Sequence, residues 1–211
     1  MANMDDVLGT PDTGGATYYD EAQDTPNVPM PEGVYPCHIT SVNSNVADVR
    51  GKYKAVIYNV RCKVAPEASD TTFDAVDYDG KEVKVDGGKF AGREVRSNGV
   101  FKFLTPNGED EWEANPGGNK GYANFCTVIG KEPETVEVEV NGEKVSMKEL
   151  PNLNETDILG KPVLAVIGRG KPWKSDRDGK TRTSLEVKWF RTWADGEAMD
   201  PDTIEDDDLP F

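Results

Sequence analysis

Aromatic and basic side chains alternate along residues 169–193, near the C-terminal end of the chain. The aromatic members are Trp173, Trp189, Phe190 and Trp193. The cations between them are Arg169, Lys171, Lys174, Arg177, Lys180, Arg182, Lys188 and Arg191. Because cations bind phosphates and flat side chains stack on exposed bases, this mixture is typical of a surface for single-stranded nucleic acid. Such stacking contributes roughly 1–3 kcal/mol per base and tolerates any base sequence.

Individual residues receive roles from this pattern. We expect bases to stack on Trp173 and Phe190, with Tyr53 and Trp193 as further candidates. The expected phosphate ligands are Arg61, Lys63, Arg169, Lys171, Lys174, Arg177, Lys180, Arg182 and Lys188. Trp189 has Leu185 and Val187 at spacing two on its own strand, which predicts that it faces the core. Phe101 and Phe103 share one strand face, and the sequence leaves open whether they or Val100 and Leu104 face inward.

Catalytic chemistry has few candidates in this sequence. Its single histidine, His38, lies in a predicted strand, where a structural or surface role is expected. Phosphate-loop, nucleophile-elbow and zinc-protease motifs are absent. Zinc binding would need Cys37 and His38, which are adjacent, to converge with Cys62 and Cys126, and adjacent ligands give poor geometry. We therefore predict a binding protein with no metal and no cofactor, whose thiols are reduced and buried. A metal-dependent nuclease built on carboxylates is an alternative.

The formal net charge of −15 is carried by the two ends of the chain. Residues 1–32 contain seven acids and residues 195–211 contain eight, and neither segment has a Lys or Arg. Residues 33–194 are therefore neutral overall. Within them, residues 160–194 have nine bases against three acids. This distribution predicts a body with a basic side and two acidic ends. An acidic DNA mimic that blocks a DNA-binding protein is a further alternative, but it would need acids spread over the folded surface.

The hydrophobic patterning predicts a mainly β domain. Residues 54–64 alternate, with Val56, Tyr58, Val60, Cys62 and Val64 on one face and Ile57, Asn59, Arg61 and Lys63 on the other. Residues 119–130 predict one short helix that Gly130 ends. Residues 93–105 predict a strand broken near Asn98-Gly99, and a last long hairpin carries residues 174–180 as a loop at its tip. Seven or eight strands with one helix predict a barrel or sandwich.

The chain divides into three predicted segments. Residues 1–32 are acidic, lack a periodic apolar pattern and are expected to be disordered. Residues 33–194 form the folded domain, and residues 195–211 form an acidic tail. The N-terminus lacks the basic and apolar regions of a secretory signal, and no apolar run is long enough to span a membrane.

The C-terminal end offers a peptide hook made of Asp206, Asp207, Asp208, Leu209, Pro210 and Phe211. The phenylalanine suits an apolar pocket, and the acids suit a basic rim around it. This end resembles the acidic tip of bacterial single-stranded DNA-binding proteins, and the chain looks like a phage-encoded member of that group. The resemblance implies an OB-fold-like β-barrel and sequence-independent coating of single-stranded DNA during phage replication or recombination. It also implies recruitment of host or phage replication and repair proteins through the tip, in the cytoplasm of the infected bacterium. No membrane partner is expected, and homo-oligomerisation is left open.

Overall fold

The computed structural model describes residues 28–49, 53–107, 111–140 and 142–201. The described residues form a mainly β structure with two short helices, as the patterning predicts. The strands are β1 (Gly33–Val49), β2 (Tyr53–Val64), β3 (Thr72–Val76), β4 (Glu82–Asp86), β5 (Glu94–Arg96), β6 (Val100–Pro106), β7 (Trp112–Ala114), β8 (Glu134–Val140), β9 (Glu143–Glu149), β10 (Pro162–Arg169), β11 (Trp173–Lys174), β12 (Thr181–Arg182) and β13 (Leu185–Thr192). The helices are α1 (Lys120–Val128) and α2 (Glu155–Ile158). More strands are present than the seven or eight predicted, since short hairpins branch from the main sheet.

One antiparallel sheet contains most of these strands, in the order β13-β10-β1-β2-β6-β7, and β5 pairs with β2 beside β6. The hairpins β3–β4, β8–β9 and β11–β12 form separate two-stranded sheets. In the described part of the chain this ladder does not close into a barrel. Strand β13, at one edge of the sheet, approaches the far edge of β2 at a single point. There Ser97, directly after β5, makes an isolated parallel bridge to Val187 of β13.

The core lies under β1 and β2, and the alternation of their side chains explains why. Tyr58, Val60, Cys62 and Val64 of β2 are buried, as the alternation predicts. Their neighbours of opposite parity, such as Asn59 and Arg61, lie on the outer face. Because successive side chains of a strand point to opposite faces, β2 separates an apolar core from a polar outer surface.

Helix α1 covers one side of this core. Its side chains Tyr122, Phe125 and Cys126 and the following Ile129 are all buried, which confirms the predicted helical face. Gly130 then adopts a φ of 78°, a left-handed conformation that favours glycine, and the helix ends there.

A second glycine breaks the strand that the sequence predicts between residues 93 and 105. Gly99 has a φ of 94°, and a Cβ atom there would lie 2.8 Å from the Ile57 side chain. The break separates β5 from β6 and lets the chain turn away from β13 after the Ser97 bridge. The predicted interruption near Asn98-Gly99 is therefore confirmed.

The folded body extends beyond the predicted limits of residues 33 and 194. Val28 and Met30 are buried, and the Tyr35 hydroxyl donates a 2.9 Å hydrogen bond to the Pro31 carbonyl. At the other end, the Met199 amide donates a 2.9 Å bond to the Gly160 carbonyl. The expectation that residues 1–32 lie outside the fold is thus wrong for residues 28–32. Residues 1–27 and 202–211 lie outside the described residues. No helix in the described ranges is long and apolar enough to cross a bilayer.

Candidate nucleic-acid interface

Three aromatic side chains lie on the outer face of β2 and β6. The register pairs Ile57 with Phe101 and Ala55 with Phe103, so both phenylalanines lie on the face opposite the core. Tyr53 has the same parity as Ala55 and therefore lies on this face as well. Phe101 and Phe103 stack with ring centroids 6.0 Å apart and 15° between their planes. We call Tyr53, Phe101 and Phe103 the aromatic face.

The inward positions of β6 explain why its phenylalanines point outward. Val100 packs against the core, while Lys102 is buried and its Nζ donates to the Asn152 side chain (2.5 Å) and the Pro151 carbonyl (3.2 Å). Burial lowers the pKa of this ammonium below its ordinary value. The sequence pattern does not reveal that Lys102 finds hydrogen-bond acceptors inside the fold. Sequence reasoning therefore missed the exposed Phe101 and the half-buried Phe103 as binding candidates.

The same outer face becomes cationic toward the other end of β2. Arg61 lies opposite Arg96 of β5, and Glu94 lies between them, with its Oε1 atom 3.4 Å from the Arg61 Nη1 and 3.4 Å from the Arg96 Nε. These side chains are more than a third exposed, so the pairs contribute little stability and mainly orient the guanidinium groups. Lys63, another expected phosphate ligand, lies opposite Glu94 in the register.

An amide pair separates the aromatic and cationic ends of this face. The Asn59 Nδ2 atom donates a 3.1 Å hydrogen bond to the Asn45 Oδ1 atom across β1 and β2. At about 3.3 Å per residue, the distance along β2 from Tyr53 to Arg61 is about 26 Å. The outer face therefore presents rings, amides and guanidinium groups in series along β2 and the strands paired with it.

The predicted loop at residues 174–180 lies at the tip of a short hairpin, where residues 175–180 connect β11 to β12 and only Lys174 belongs to a strand. Trp173 pairs with Arg182 and Lys174 with Thr181 in the two-rung ladder of β11–β12. The Arg182 Nη2 atom lies 2.7 Å from the Asp178 Oδ2 atom. This guanidinium holds the pKa of Asp178 below its ordinary value. The ladder places Arg182 directly beside Trp173, whose side chain is half exposed.

The remaining expected phosphate ligands around this hairpin are exposed. They are Lys174, Arg177 and Lys180 on the hairpin and Arg169, Lys171 and Lys188 at its base. Two of the basal cations have acidic partners, since the Arg169 Nε atom lies 2.9 Å from Glu32 and the Lys188 Nζ atom 2.5 Å from Glu186. We call β11–β12 together with these three basal cations the basic hairpin.

Strand β13 contradicts two expectations about its aromatic residues. Val166 pairs with Trp189 but Ile167 pairs with Val187, so Lys188 is an extra residue in a β-bulge. The bulge shifts the alternation by one residue. Trp189, expected in the core, is therefore 53% exposed. Phe190, expected to be exposed for base stacking, packs inward with its ring centroid 5.3 Å from that of Phe125.

Trp193 lies in a different environment from the other candidates. Its half-buried ring packs against the His38 ring, with centroids 5.4 Å apart, and against Gly196. Glu67, Asp70 and Asp195 line the cavity beside it. This acidic setting does not suit a phosphate-bearing ligand, and the structure does not bring Trp193 together with the basic hairpin. His38 has the structural role expected of it, since its Nε2 atom lies 2.9 Å from the Glu197 carbonyl oxygen.

The three cysteines are buried and none forms a disulfide. Burial raises the pKa of Cys37 to about 12 and that of Cys126 to about 11, and it also raises the pKa of Cys62. The described ranges contain no group of three or more His, Cys, Asp or Glu side chains that could hold a metal ion.

The predicted partner-binding tip, residues 206–211, lies outside the described residues. Within the described ranges, the features relevant to a nucleic acid are thus the aromatic face with its arginines, the basic hairpin and the exposed Trp189. No protein-family model, curated protein or solved structure matches this chain.

Proposed function

We propose that this protein binds single-stranded DNA without sequence preference. The observation that carries the proposal is the outer face of β2, β5 and β6, where two stacked rings, one of them exposed, and two arginines lie on neighbouring strands. Rings accept any base and guanidinium groups bind any phosphate, so such a face recognises an unpaired strand by its general chemistry. A duplex hides the faces of its bases and offers this surface only its phosphates.

The proposal includes an OB-like arrangement of the main strands. Five strands follow one another along the chain as in such a barrel: β1, β2, β5 with β6 taken together, β10 and β13. Helix α1 lies between the third and fourth of them, which also supports the arrangement. The parallel bridge from Ser97 to Val187 lies where the third and fifth strands of such a barrel meet. OB-folds bind oligonucleotides on the face of their second and third strands and on the loops that flank it. In this chain those strands carry the aromatic face, and the last hairpin connection carries Trp173.

The role of each cation follows from its place. Arg61 and Arg96 bind phosphates on the sheet face, and the exposed cations of the basic hairpin hold the strand where it leaves that face. The tip at residues 206–211 recruits replication or repair proteins of the phage or its host. In this proposal the protein works in the cytoplasm of an infected bacterium, where it coats strands exposed by replication or recombination.

A mobility-shift titration tests the proposal. We expect a thymine homopolymer and a mixed-sequence strand of about 30 nucleotides to bind with similar affinity and a duplex of that length to bind much more weakly. Combined Tyr53→Ala, Phe101→Ala and Phe103→Ala substitutions should reduce binding strongly. Tyr78→Ala is the control, since Tyr78 is an exposed tyrosine on the β3–β4 turn. Equal binding of duplex, no binding of either strand, or magnesium-dependent degradation of the strand would contradict the proposal.

A further inference from the structure

A groove of about 490 Å³ lies between β13, α1 and the turn that joins β5 to β6. Its walls include Trp189 from β13, Asn98 from the turn and Asn124 from α1, with Lys171 at one side. The volume falls in the range of pockets that hold small organic ligands. This groove is distinct from the outer face of β2 and β6 that carries the proposed function.

The β-bulge at Lys188 gives the groove its aromatic wall. Without the extra residue, the alternation of β13 would direct Trp189 inward and Phe190 outward. The indole instead lies at the surface, 53% exposed, and in the described structure it stacks on no other aromatic ring. Bulges often redirect a side chain at a functional site, and a half-exposed tryptophan beside a groove offers a flat surface for another ring.

Apolar side chains such as Phe125 and Phe190 form the floor of the groove, and small and polar residues complete its walls. Gly121 of α1 has no side chain, and a Cβ atom there would meet no atom within 4 Å, so a flat ring has space in the groove. The amides of Asn98 and Asn124 offer both donors and acceptors, as the edge of a nucleobase requires. Lys171 is exposed and has no ion-pair partner among the described residues, so its ammonium is available to a phosphate. Lys188, by contrast, is already paired with Glu186.

We propose that this groove binds one nucleotide of the single strand, with its base against the Trp189 indole and its phosphate at Lys171. The inference rests on the proposed function and adds a site to it. Its combination of an exposed indole, two amides and one unpaired cation matches a base with its phosphate. A peptide segment would instead need apolar pockets at regular spacing or an open strand edge.

Photocrosslinking tests where a base lies in the complex formed by the full chain. A single strand that carries 5-iodo-deoxyuridine is bound, irradiated and digested with trypsin. Cleavage after Lys188 and Arg191 releases residues 189–191 as one peptide, and we expect the crosslink on Trp189 within it. Crosslinks confined to Trp173 or to peptides from β2 and β6 would overturn the inference while leaving the proposed function intact. Absence of any binding would overturn both.

A groove-filling variant gives an independent measurement. Gly121 lies in α1, and a Cβ atom added there meets no atom within 4 Å, so Gly121→Leu fills the groove without backbone strain. If one stacked base is excluded, affinity for the strand should fall by about 5-fold to 160-fold. Thr127→Leu is the matched control on an exposed position of the same helix. Unchanged affinity of the Gly121→Leu variant, with its melting temperature retained, would show that the groove is not occupied.

Discussion

Phe101 and Phe103 stack on each other on the outer face of β6, with their ring planes 15° apart. Side chains two residues apart on a strand lie on the same face, so two aromatic rings at this spacing can stack when neither is packed into the core. The pair forms a preformed platform, because each ring limits the rotation of the other. A base that adds to the stack therefore meets rings that are already ordered.

Phe101→Ala should weaken the binding of single-stranded DNA by roughly 1–3 kcal/mol, the contribution of one base–aromatic stack. The unfolding transition should move little, since the Phe101 side chain is 37% exposed. Isothermal titration calorimetry and thermal denaturation of the same preparation provide the two measurements. Tyr78→Ala, which removes an aromatic ring from a different surface, should leave the affinity unchanged. Equal loss of affinity in both variants would indicate a general effect of surface aromatics.

Glu94→Gln should tighten binding, because the Glu94 carboxylate lies between Arg61 and Arg96 and competes with a phosphate for both. The exposed pairs are weak, so we expect a gain of about twofold to fivefold at low salt. The slope of log affinity against log salt should become steeper by about 0.7 for each additional phosphate contact. Glu137→Gln is the control, since it removes the same charge from the Glu137–Lys144 pair on β8–β9. An identical gain from the control would mean that only net charge matters.

Trp173 and Trp193 should respond to substitution in opposite ways. Trp173 is half exposed beside Arg182, so Trp173→Ala should reduce DNA affinity by roughly 1–3 kcal/mol and leave the melting temperature nearly unchanged. Trp193 packs against His38 and Gly196, so Trp193→Ala should destabilise the fold by about 1–3 kcal/mol. Its affinity for DNA should be retained below the melting temperature. The prediction fails if Trp173→Ala unfolds the protein or if Trp193→Ala alone abolishes binding.

The sequence predicts this fold best where a regular alternation or a turn residue determines the structure. The two faces of β2, the buried face of α1 and the break at Gly99 all follow from such local patterns. The position of Trp189 does not, because the bulge at Lys188 depends on pairing with Val166 and Ile167 of another strand. Spacing along a single strand contains no information about an extra residue in the ladder.

The outer aromatic face shows a second limit of sequence reasoning. Strand β6 has apolar side chains on both of its faces, so their pattern does not determine which face points to the core. The inward face includes Lys102, and this orientation depends on the oxygen acceptors that Lys102 finds inside the fold. Those partners, Pro151 and Asn152, come from a connection about fifty residues later in the chain. The basic hairpin was easier to identify, since its charges and Trp173 are close together in the sequence.

The three thiols should be unreactive in the folded protein. Burial raises the pKa of Cys37 to about 12 and that of Cys126 to about 11, so both remain protonated at pH 8. In the unfolded chain a cysteine has a pKa of about 8.5. The buried thiols therefore contribute their full stabilisation below that pH, and this stabilisation is lost as the pH rises toward the higher pKa values of the folded state. Ellman's reagent should therefore titrate all three thiols only after denaturation, and the melting temperature should fall between pH 8 and pH 10. Rapid labelling of a thiol without denaturant would contradict the burial that underlies this prediction.

The acidic C-terminal end should regulate binding in two separable ways. Residues 195–211 carry eight acids, and the Met199–Gly160 hydrogen bond anchors this segment to the body shortly before the last described residue. A short tether gives an effective concentration on the order of millimolar, so the acids can compete with phosphates for the cations of the body. Deletion of residues 205–211 should therefore tighten single-stranded DNA binding, most clearly at low salt, where screening is weak.

The same deletion should also abolish the capture of proteins that recognise acidic Pro-Phe ends. Phe211→Ala should remove that capture and leave the DNA affinity close to that of the full chain, because the apolar hook and the negative charges are different parts of the segment. Fluorescence anisotropy over a salt series, with a pull-down of purified replication and repair proteins, measures both effects. A deletion that neither tightens DNA binding at low salt nor loses its partners would show that the segment has neither role.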